Sequence, residues 1–420
     1  MDTEHRPEEE QNQEEYSFMQ EVIKEERIDA RKLASKIGRW AFAGLIFGVA
    51  ACVGFFALKP WAETAFQQNP NKVEIPQDDD TGETETPEVT EPVEQELTID
   101  SYRELDRVLG QVAVEEEKSI VQVTGIRQDE NWASGQNSSL RQTTGLIVAD
   151  NGRELLILTN YASMKEAELF QVKFADDTEH EAVMKQKDGN SDMAIFSVAK
   201  SGITEDTWNK IKVAVLGNSN TLVQGRTLSA LGSPFGYEDG VGYGVASSTD
   251  ETILYADGEY RILITDMPGT KRSSGFLFDT YGSVMGMIDS NLTSEDGTGT
   301  LAAIGISAVK SEIELMSNGK NVPYVGIIGT IVTQEMSEAQ GIPAGLYVTE
   351  VEVDSPAMKA GIQNGDVITK VGSQEITSLT DYRKVIIQQE AGKTIKLSGQ
   401  RHGAENYVDN KFNVTVGMKQ

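Results

Sequence analysis

The sequence predicts a mostly β protein: a pair of β-barrels or a sandwich, followed by a small α+β domain and preceded by a single transmembrane helix. The β prediction rests on short apolar runs between residues 119 and 288, separated by turns rich in Gly, Asn and Asp. The α+β prediction rests on residues 319–420, which combine short β runs with one clear helix. The transmembrane prediction rests on residues 40–58, which carry no charge.

The individual elements follow from local periodicity and turn residues. The strands predicted in the first region are residues 119–124, 144–148, 154–159, 169–174, 193–198, 227–231, 261–265 and 283–288. In the second region we expect strands at 326–332, 345–351, 367–371, 394–400 and 413–416, and a helix at 379–389 that Ser378 introduces. A further helix is expected over residues 100–118, with Asp100 or Ser101 as its cap. Its apolar face consists of Tyr102, Leu105, Val108, Leu109 and Val112.

The uncharged segment has 19 residues between Arg39 and Lys59, enough helix to cross a hydrocarbon core of roughly 30 Å. Basic residues are more numerous before the segment than after it. The positive-inside rule therefore places residues 1–39 in the cytoplasm and the bulk of the chain outside. A cleaved signal peptide is the alternative, but it needs a short basic start and a small-x-small cleavage site, which residues 57–59 lack. We expect an uncleaved single-pass anchor in the cell membrane over residues 40–59.

The segment after the predicted anchor is strongly acidic. Residues 60–98 hold 11 acidic residues and one basic residue, Lys72, in a chain of net charge −29. With few large apolar groups, this segment is expected to be a disordered, self-repelling spacer. The chain has no basic stripe with interleaved aromatic residues, which argues against nucleic acid as a partner. Cys52, the only cysteine, lies in the predicted anchor, so the outer domains must be stable without a disulfide.

Three short motifs suggest the parts of a catalytic triad. They are residues 158–163 (Leu-Thr-Asn-Tyr-Ala-Ser), 191–195 (Ser-Asp-Met-Ala-Ile) and 272–277 (Arg-Ser-Ser-Gly-Phe-Leu). In this order the motifs resemble those of the HtrA/DegP-like family, trypsin-like serine proteases with a C-terminal PDZ domain. The resemblance covers about residues 100–420. It implies a trypsin-like double β-barrel at 99–318 and an α+β PDZ domain at 319–420.

The resemblance places Ala162 where the family carries its general-base histidine. Residues 158–160 match the family's Leu-Thr-Asn-x-His-Val motif, and Ala162 stands at the histidine. Asp192 matches the aspartate of the family's Asp-Leu-Ala-Val motif. Two of the three catalytic positions are therefore filled, and the third carries a methyl group.

The nucleophile position is ambiguous between two serines. Counting forward along the motif from the preceding strand gives Ser274, and counting back from the following strand gives Ser273. The glycine two residues before the nucleophile, which the family uses in its oxyanion hole, is replaced by Arg272 or Lys271. The oxyanion hole is therefore expected to be altered as well.

A methyl group can neither accept a serine proton nor protonate a leaving amine. Two residues could in principle replace the base. His180 is expected at an exposed strand position between acids, and Lys271 would have to form a Ser-Lys dyad with its neighbour. If neither does so, Asp192 and the two serines remain as turn residues in a fold that kept its shape.

The C-terminal region carries a PDZ pattern at residues 353–361 and 364–368. Residues Tyr324, Val325, Gly326 and Ile327 resemble the loop whose backbone N–H groups hold a peptide's terminal carboxylate in that domain. No His, Cys and Asp cluster has the spacing of metal ligands, so the sequence predicts neither a metal nor a cofactor.

These observations predict a membrane-anchored extracytoplasmic HtrA-like pseudoprotease. It would bind polypeptide C-termini or unfolded segments, as an adaptor or sensor in protein quality control. One alternative is an active serine endopeptidase with an unrecognised base. Another is a non-catalytic subunit in a mixed oligomer with active relatives. The resemblance implies a trimer, either homomeric or mixed.

Overall fold

The computed structural model of the protein describes residues 70–78, 98–127, 139–293 and 299–419. The predicted cytoplasmic tail, the predicted transmembrane helix and most of the predicted acidic spacer lie outside these ranges. Within the described ranges, no helix is both long and apolar enough to cross a membrane.

The first barrel is closed by strands in the order β1-β2-β3-β6-β5-β4. Its strands are β1 (Ile120–Arg127), β2 (Ser139–Asp150), β3 (Glu154–Asn160), β4 (Leu169–Lys173), β5 (Glu179–Asp188) and β6 (Met193–Ala199). Strand β3 is buried on both faces because its side chains alternate between two cores. Leu155 and Ile157 pack inside the barrel, whereas Leu156 and Leu158 join the cluster between the barrels.

The second sheet follows the order β11-β8-β9-β10-β13-β12-β7, and an extra β11–β12 pairing closes it. Its strands are β7 (Val215–Leu216), β8 (Thr227–Ser233), β9 (Gly240–Tyr255), β10 (Gly258–Pro268), β11 (Ser274–Phe278), β12 (Ser283–Ile288) and β13 (Thr300–Gly305). Three helices accompany the barrels: α1 (Ile99–Glu117), α2 (Glu205–Trp208) and α3 (Lys310–Ser317). The predicted double β-barrel is confirmed.

The C-terminal domain has a sheet in the order β14-β15-β16-β18-β19, with β17 paired to β16. Its strands are β14 (Ile327–Val332), β15 (Gly345–Val351), β16 (Val367–Val371), β17 (Gln374–Glu375), β18 (Thr394–His402) and β19 (Tyr407–Thr415). Its helices are α4 (Gln334–Gln340), α5 (Pro356–Lys359) and α6 (Leu379–Ile387). Ser378 caps α6 by accepting the Asp381 N–H, as the sequence predicts.

Helix α1 differs from its prediction in cap and in orientation. Thr98 is the N-cap, because its side chain accepts the Ser101 N–H in a capping box. Most of the predicted apolar face is exposed: 67% of Tyr102 and 54% of Leu105 remain accessible. The helix packs through Ala113 and the last turn instead, where Glu116 is buried beside Lys212.

Part of the predicted spacer is ordered, so the expectation of disorder is wrong for residues 70–78. Val73 and Ile75 are buried in the cluster between the barrels. Their N–H groups donate to Asn318 Oδ1 (2.9 Å) and Glu314 Oε2 (3.0 Å). The two apolar side chains are two positions apart, so this extended segment buries one face. The composition averaged over residues 60–98 did not reveal this local pattern.

Candidate functional site

Ala162 and Asp192 lie at the same end of the paired strands β3 and β6. The last residue pair of these strands is Asn160 with Met193. Just beyond it, the N–H of Tyr161 donates to the backbone oxygen of Asp192 at 2.9 Å. The structure therefore brings the predicted base position and the predicted aspartate together.

Asp192 has a lysine, rather than an imidazole, as its charged partner. Nζ of Lys165, three residues after Ala162, lies 2.6 Å from Asp192 Oδ1. An ammonium group has no lone pair with which to take a serine proton. Lys165 was not predicted as a site residue; its place three residues after Ala162 is the only signal for it in the sequence.

Further acidic groups surround Asp192. Asp289 is buried, and burial followed by the charge of Asp192 raises its pKa, against stabilising hydrogen bonds from Asn291. Burial, with smaller contributions from Asp289 and Asp192, raises the pKa of Tyr255 to about 12. Asp289 and Tyr255 therefore lie close enough to Asp192 for its charge to affect their ionisation.

Ser273 is buried, and its hydroxyl bonds both within its own turn and to the loop after β8. The hydroxyl donates to Pro234 O at 2.6 Å and accepts the Thr270 N–H at 2.9 Å. Only 4% of the residue is exposed. Its hydroxyl therefore stabilises the turn before β11 and is not presented to a substrate.

Ser274, the other candidate nucleophile, bonds to the first barrel. Its Oγ accepts the Thr144 N–H at 3.2 Å and lies 3.0 Å from Thr144 Oγ1. Thr144 O in turn accepts the hydroxyl of Thr159, which is three residues before Ala162. Ser274 is thus connected through Thr144 to the motif that holds Ala162, and it serves as a contact between the two barrels.

Backbone donors near the serines are also engaged. The Ser273 N–H donates to Thr270 O at 3.0 Å, and the Arg272 N–H donates to Thr270 Oγ1 at 3.2 Å. An oxyanion hole needs such N–H groups to point at the reacting oxygen. Here these N–H groups donate within the turn Thr270–Ser273 instead.

Neither replacement base lies in place. Nζ of Lys271 donates to Thr293 O at 2.6 Å, so this side chain extends over the loop after β12. His180 is half-buried against Phe174, with 5.2 Å between ring centroids, whereas the sequence suggested an exposed position. The aromatic contact accounts for its burial. Its own strand, β5, carries it away from the end of β6 that holds Asp192.

A cavity of about 630 Å³ lies between the barrels, beside the last turn of α1. Thr144 lines it, and so do Glu117 and Asp239. Burial, followed by the charge of Asp239, raises the pKa of Glu117. Ala162 and Asp192 do not line this cavity, so it is not the cleft of the predicted triad.

The predicted carboxylate-binding loop of the C-terminal domain surrounds a carboxylate that belongs to the same chain. The N–H groups of Val325 and Gly326 donate to Asp257 Oδ2 at 2.6 and 2.8 Å. The N–H of Ile327 donates to Asp257 Oδ1 at 3.0 Å, and the hydroxyl of Tyr382 on α6 donates to the same oxygen at 2.9 Å.

Asp257 stands in the two-residue turn of the β9–β10 hairpin, where Tyr255 pairs with Gly258. It adopts a positive φ of 61°, which aspartate tolerates better than most residues. The sequence offered an Asp-Gly turn signal here. Nothing in the local pattern indicated contact with a loop 68 residues away.

A buried ion pair joins helix α3 to the C-terminal domain and packs against the same hairpin. Arg383 on α6 bonds to Glu312 on α3 and lies over the ring of Tyr260, 3.8 Å from its centroid. Glu312 is 1% exposed and Tyr260 is 3% exposed. The interface between the second barrel and the C-terminal domain is therefore tightly packed and charge-compensated.

The fold and these motifs define a class. Residues 143–287 match the family model described as trypsin-like peptidase domain, and residues 302–415 match the one described as PDZ domain. The chain therefore carries a trypsin-like peptidase domain followed by a PDZ domain. The Tyr324–Ile327 loop lies within the second match.

Similarity to curated proteins narrows the class of protein further. A probable periplasmic serine endoprotease DegP-like from Pseudomonas savastanoi pv. phaseolicola is 31% identical over 296 residues, 68% of this chain and 58% of the relative. Its counterpart from Pseudomonas putida (strain W619) is 30% identical over 282 residues, 65% of this chain and 55% of the relative. The chain is a relative of the HtrA/DegP-like serine proteases, which confirms the resemblance seen in the sequence. It spans somewhat more than half the length of these relatives.

Solved structures share the fold. The HtrA-type protease AlgW with decapeptide is similar with a TM-score of 0.53 and 21% identity, over 74% of this chain and 98% of that chain. The serine endoprotease from Yersinia pestis gives a TM-score of 0.50 and 24% identity over the same shares. At this identity the likeness supports the two-domain fold alone.

Proposed function

We propose that this chain is a membrane-anchored, extracytoplasmic HtrA-like pseudoprotease. It binds exposed C-termini or unfolded segments of other polypeptides and does not cleave them. The observation that carries the proposal is Ala162, which stands where a general base is required. Without a base, a serine hydroxyl stays a poor nucleophile.

The surroundings of Ala162 support the same conclusion. Asp192 pairs with Lys165, the hydroxyls of both serines make contacts within the fold, and a turn uses the nearby N–H groups. In trypsin-like enzymes, loss of one triad member leaves only about 10³–10⁴-fold acceleration over water, much of it from the oxyanion hole. With those donors engaged, we expect even less.

The binding half of the proposal rests on the Tyr324–Ile327 loop. Three successive N–H groups converge there on one carboxylate, which is the geometry that captures a polypeptide C-terminus. The edge of β14 follows directly and could pair with an incoming strand. The anchor rests on the uncharged segment at residues 40–58, and the extracytoplasmic location rests on the charge asymmetry around it.

The catalytic half is tested by incubating the purified full chain with unfolded casein and with a fluorophosphonate probe. We expect neither cleavage nor labelling. Casein degradation that disappears in the Ser273→Ala plus Ser274→Ala double variant would overturn the proposal and favour an active endopeptidase. The double variant is the control for contaminating proteases, because contamination would persist in it.

The mixed-oligomer alternative is tested separately by mass measurement of the assembly purified from its native host. Co-purification with a relative that retains the whole triad would favour a non-catalytic subunit. A homomeric assembly would favour an independent binding protein.

A further inference from the structure

The contact between Asp257 and the Tyr324–Ile327 loop reproduces the way a PDZ domain holds a terminal carboxylate. Three consecutive backbone donors engage the two oxygens of one carboxylate, as a nest of N–H groups does for an anion. Asp257 is only 7% exposed. While its carboxylate is in the loop, the oxygens of a second carboxylate could not reach the same donors. The loop is therefore occupied by the chain itself.

The backbone of Asp257 extends the likeness. Its own N–H donates to Ile327 O at 2.7 Å, so the residue exchanges hydrogen bonds with the first residue of β14 from both its main chain and its side chain. Strand addition to this edge starts with such a bond. The tip of the β9–β10 hairpin thus stands where the last residue of a bound peptide would begin to pair.

The hairpin tip is also connected to the turn that precedes Asp192. Nδ2 of Asn190 donates to Ala256 O at 2.7 Å. Ala256 is one residue before Asp257, and Asn190 is two residues before Asp192. The Gly189 N–H donates to Lys419 O at 3.2 Å, which joins this turn to the C-terminal end of the PDZ domain as well. Withdrawal of Asp257 from the loop would therefore disturb contacts that reach the vestigial site.

We propose that Asp257 is an internal ligand of the PDZ carboxylate loop, and that another polypeptide's C-terminal carboxylate enters only after the β9–β10 hairpin has left it. The proposal rests on the proposed peptide-binding function of the same loop and adds its regulation. A tethered ligand competes at a high effective concentration. The apparent affinity for an external peptide equals the intrinsic affinity multiplied by the fraction of molecules in which the loop is open.

Two measurements on the full chain, purified in mild detergent, test the proposal. The first is binding of a fluorescein-labelled decapeptide pool that ends in a free carboxylate on Val, Leu or Phe, compared with the same pool amidated at its C-terminus. We expect Asp257→Ala to bind the free-carboxylate pool at least about tenfold more tightly than the unchanged chain. The amidated pool should bind neither the Asp257→Ala variant nor the unchanged chain. Asp250→Ala is the matched control, since it removes an exposed carboxylate from β9 of the same hairpin.

The second measurement is hydrogen exchange of the Val325, Gly326 and Ile327 amides without any peptide. Asp257→Ala should accelerate their exchange by about tenfold or more, because their acceptor is gone, and Asp250→Ala should not. Unchanged exchange in Asp257→Ala overturns the internal ligand, and so does peptide binding that is measurable and equally tight in that variant and in the unchanged chain. Accelerated exchange with no peptide binding in any variant keeps the internal ligand and sinks the proposed peptide-binding function.

Tyr382→Phe provides a second variant in case Asp257→Ala does not fold. It keeps the buried ring and removes only the hydroxyl that donates to Asp257 Oδ1. It should move both measurements in the same direction by a smaller factor. No change in either measurement with a folded Tyr382→Phe variant would overturn the proposal.

Discussion

Nζ of Lys165 lies 2.6 Å from Oδ1 of Asp192, at the end of β3 and β6 where Ala162 also lies. The ammonium group compensates the charge of Asp192, but it has no lone pair with which to accept a proton. Under the proposed function, the carboxylate beside Ala162 therefore has a partner that cannot act as a general base.

This ion pair predicts that Ala162→His alone does not restore peptidase activity. The new imidazole would compete with Lys165 for Asp192, and the Ser273 hydroxyl would still be bonded to Pro234 O. We expect no fluorophosphonate labelling of Ala162→His or of Ala162→His plus Lys165→Ala. Labelling of either variant would show that the serine turn opens more readily than its hydrogen bonds indicate.

The buried pair of Arg383 and Glu312 should be a major element of the domain interface. Arg383→Ala leaves the carboxylate of Glu312 buried without its partner, so we expect a loss of about 3–5 kcal/mol in the free energy of unfolding. Chemical denaturation followed by tryptophan fluorescence measures it. Arg103→Ala removes an exposed pair with Asp100 and should leave the midpoint unchanged. An equal response of the two variants would contradict the prediction.

Gly326 should tolerate no side chain. Its φ is +92°, and a Cβ would lie 2.3 Å from the Cβ of Ser355, the N-cap of α5. Gly326→Ala should therefore cost more than the roughly 1–3 kcal/mol of a strained backbone alone. Gly361→Ala is the control, because its φ is similar (+83°) and no atom lies within 4 Å of the added Cβ. The midpoint of thermal unfolding should be clearly lower for Gly326→Ala than for Gly361→Ala. The reverse order would contradict the packing argument.

Tyr255 should ionise late. Burial and the charges of Asp289 and Asp192 raise its pKa to about 12, whereas an unfolded tyrosine ionises near pH 10. The folded state thus keeps a proton that the unfolded state loses between about pH 10 and 12, so this residue's contribution to stability falls as pH rises through that window. The phenolate absorbance difference between the unchanged chain and Tyr255→Phe should titrate near pH 12. A midpoint near pH 10 would show that Tyr255 is solvated.

The sequence alone determined the class of fold, and the reasons are local. Strand β12 was predicted with its observed bounds because its apolar run has turn residues at both ends. Strand β11 was missed because it has only five residues and begins with serine and glycine, so its apolar part is too short to show alternation. The two family motifs also placed Ala162 just after one predicted strand and Asp192 just before another. The pairing of those strands, which brings the two residues to one end, came from the structure.

What the tertiary structure decided is every contact that joins distant parts of the chain. Helix periodicity correctly predicted α1, but it did not reveal that Tyr102 stays exposed, since burial depends on which neighbour arrives. Lys165 opposite Asp192, and Asp257 inside the Tyr324–Ile327 loop, arise from packing between strands and between domains. A short motif carries the chemistry of its own residues, whereas the partner that satisfies or occupies it comes from elsewhere in the fold.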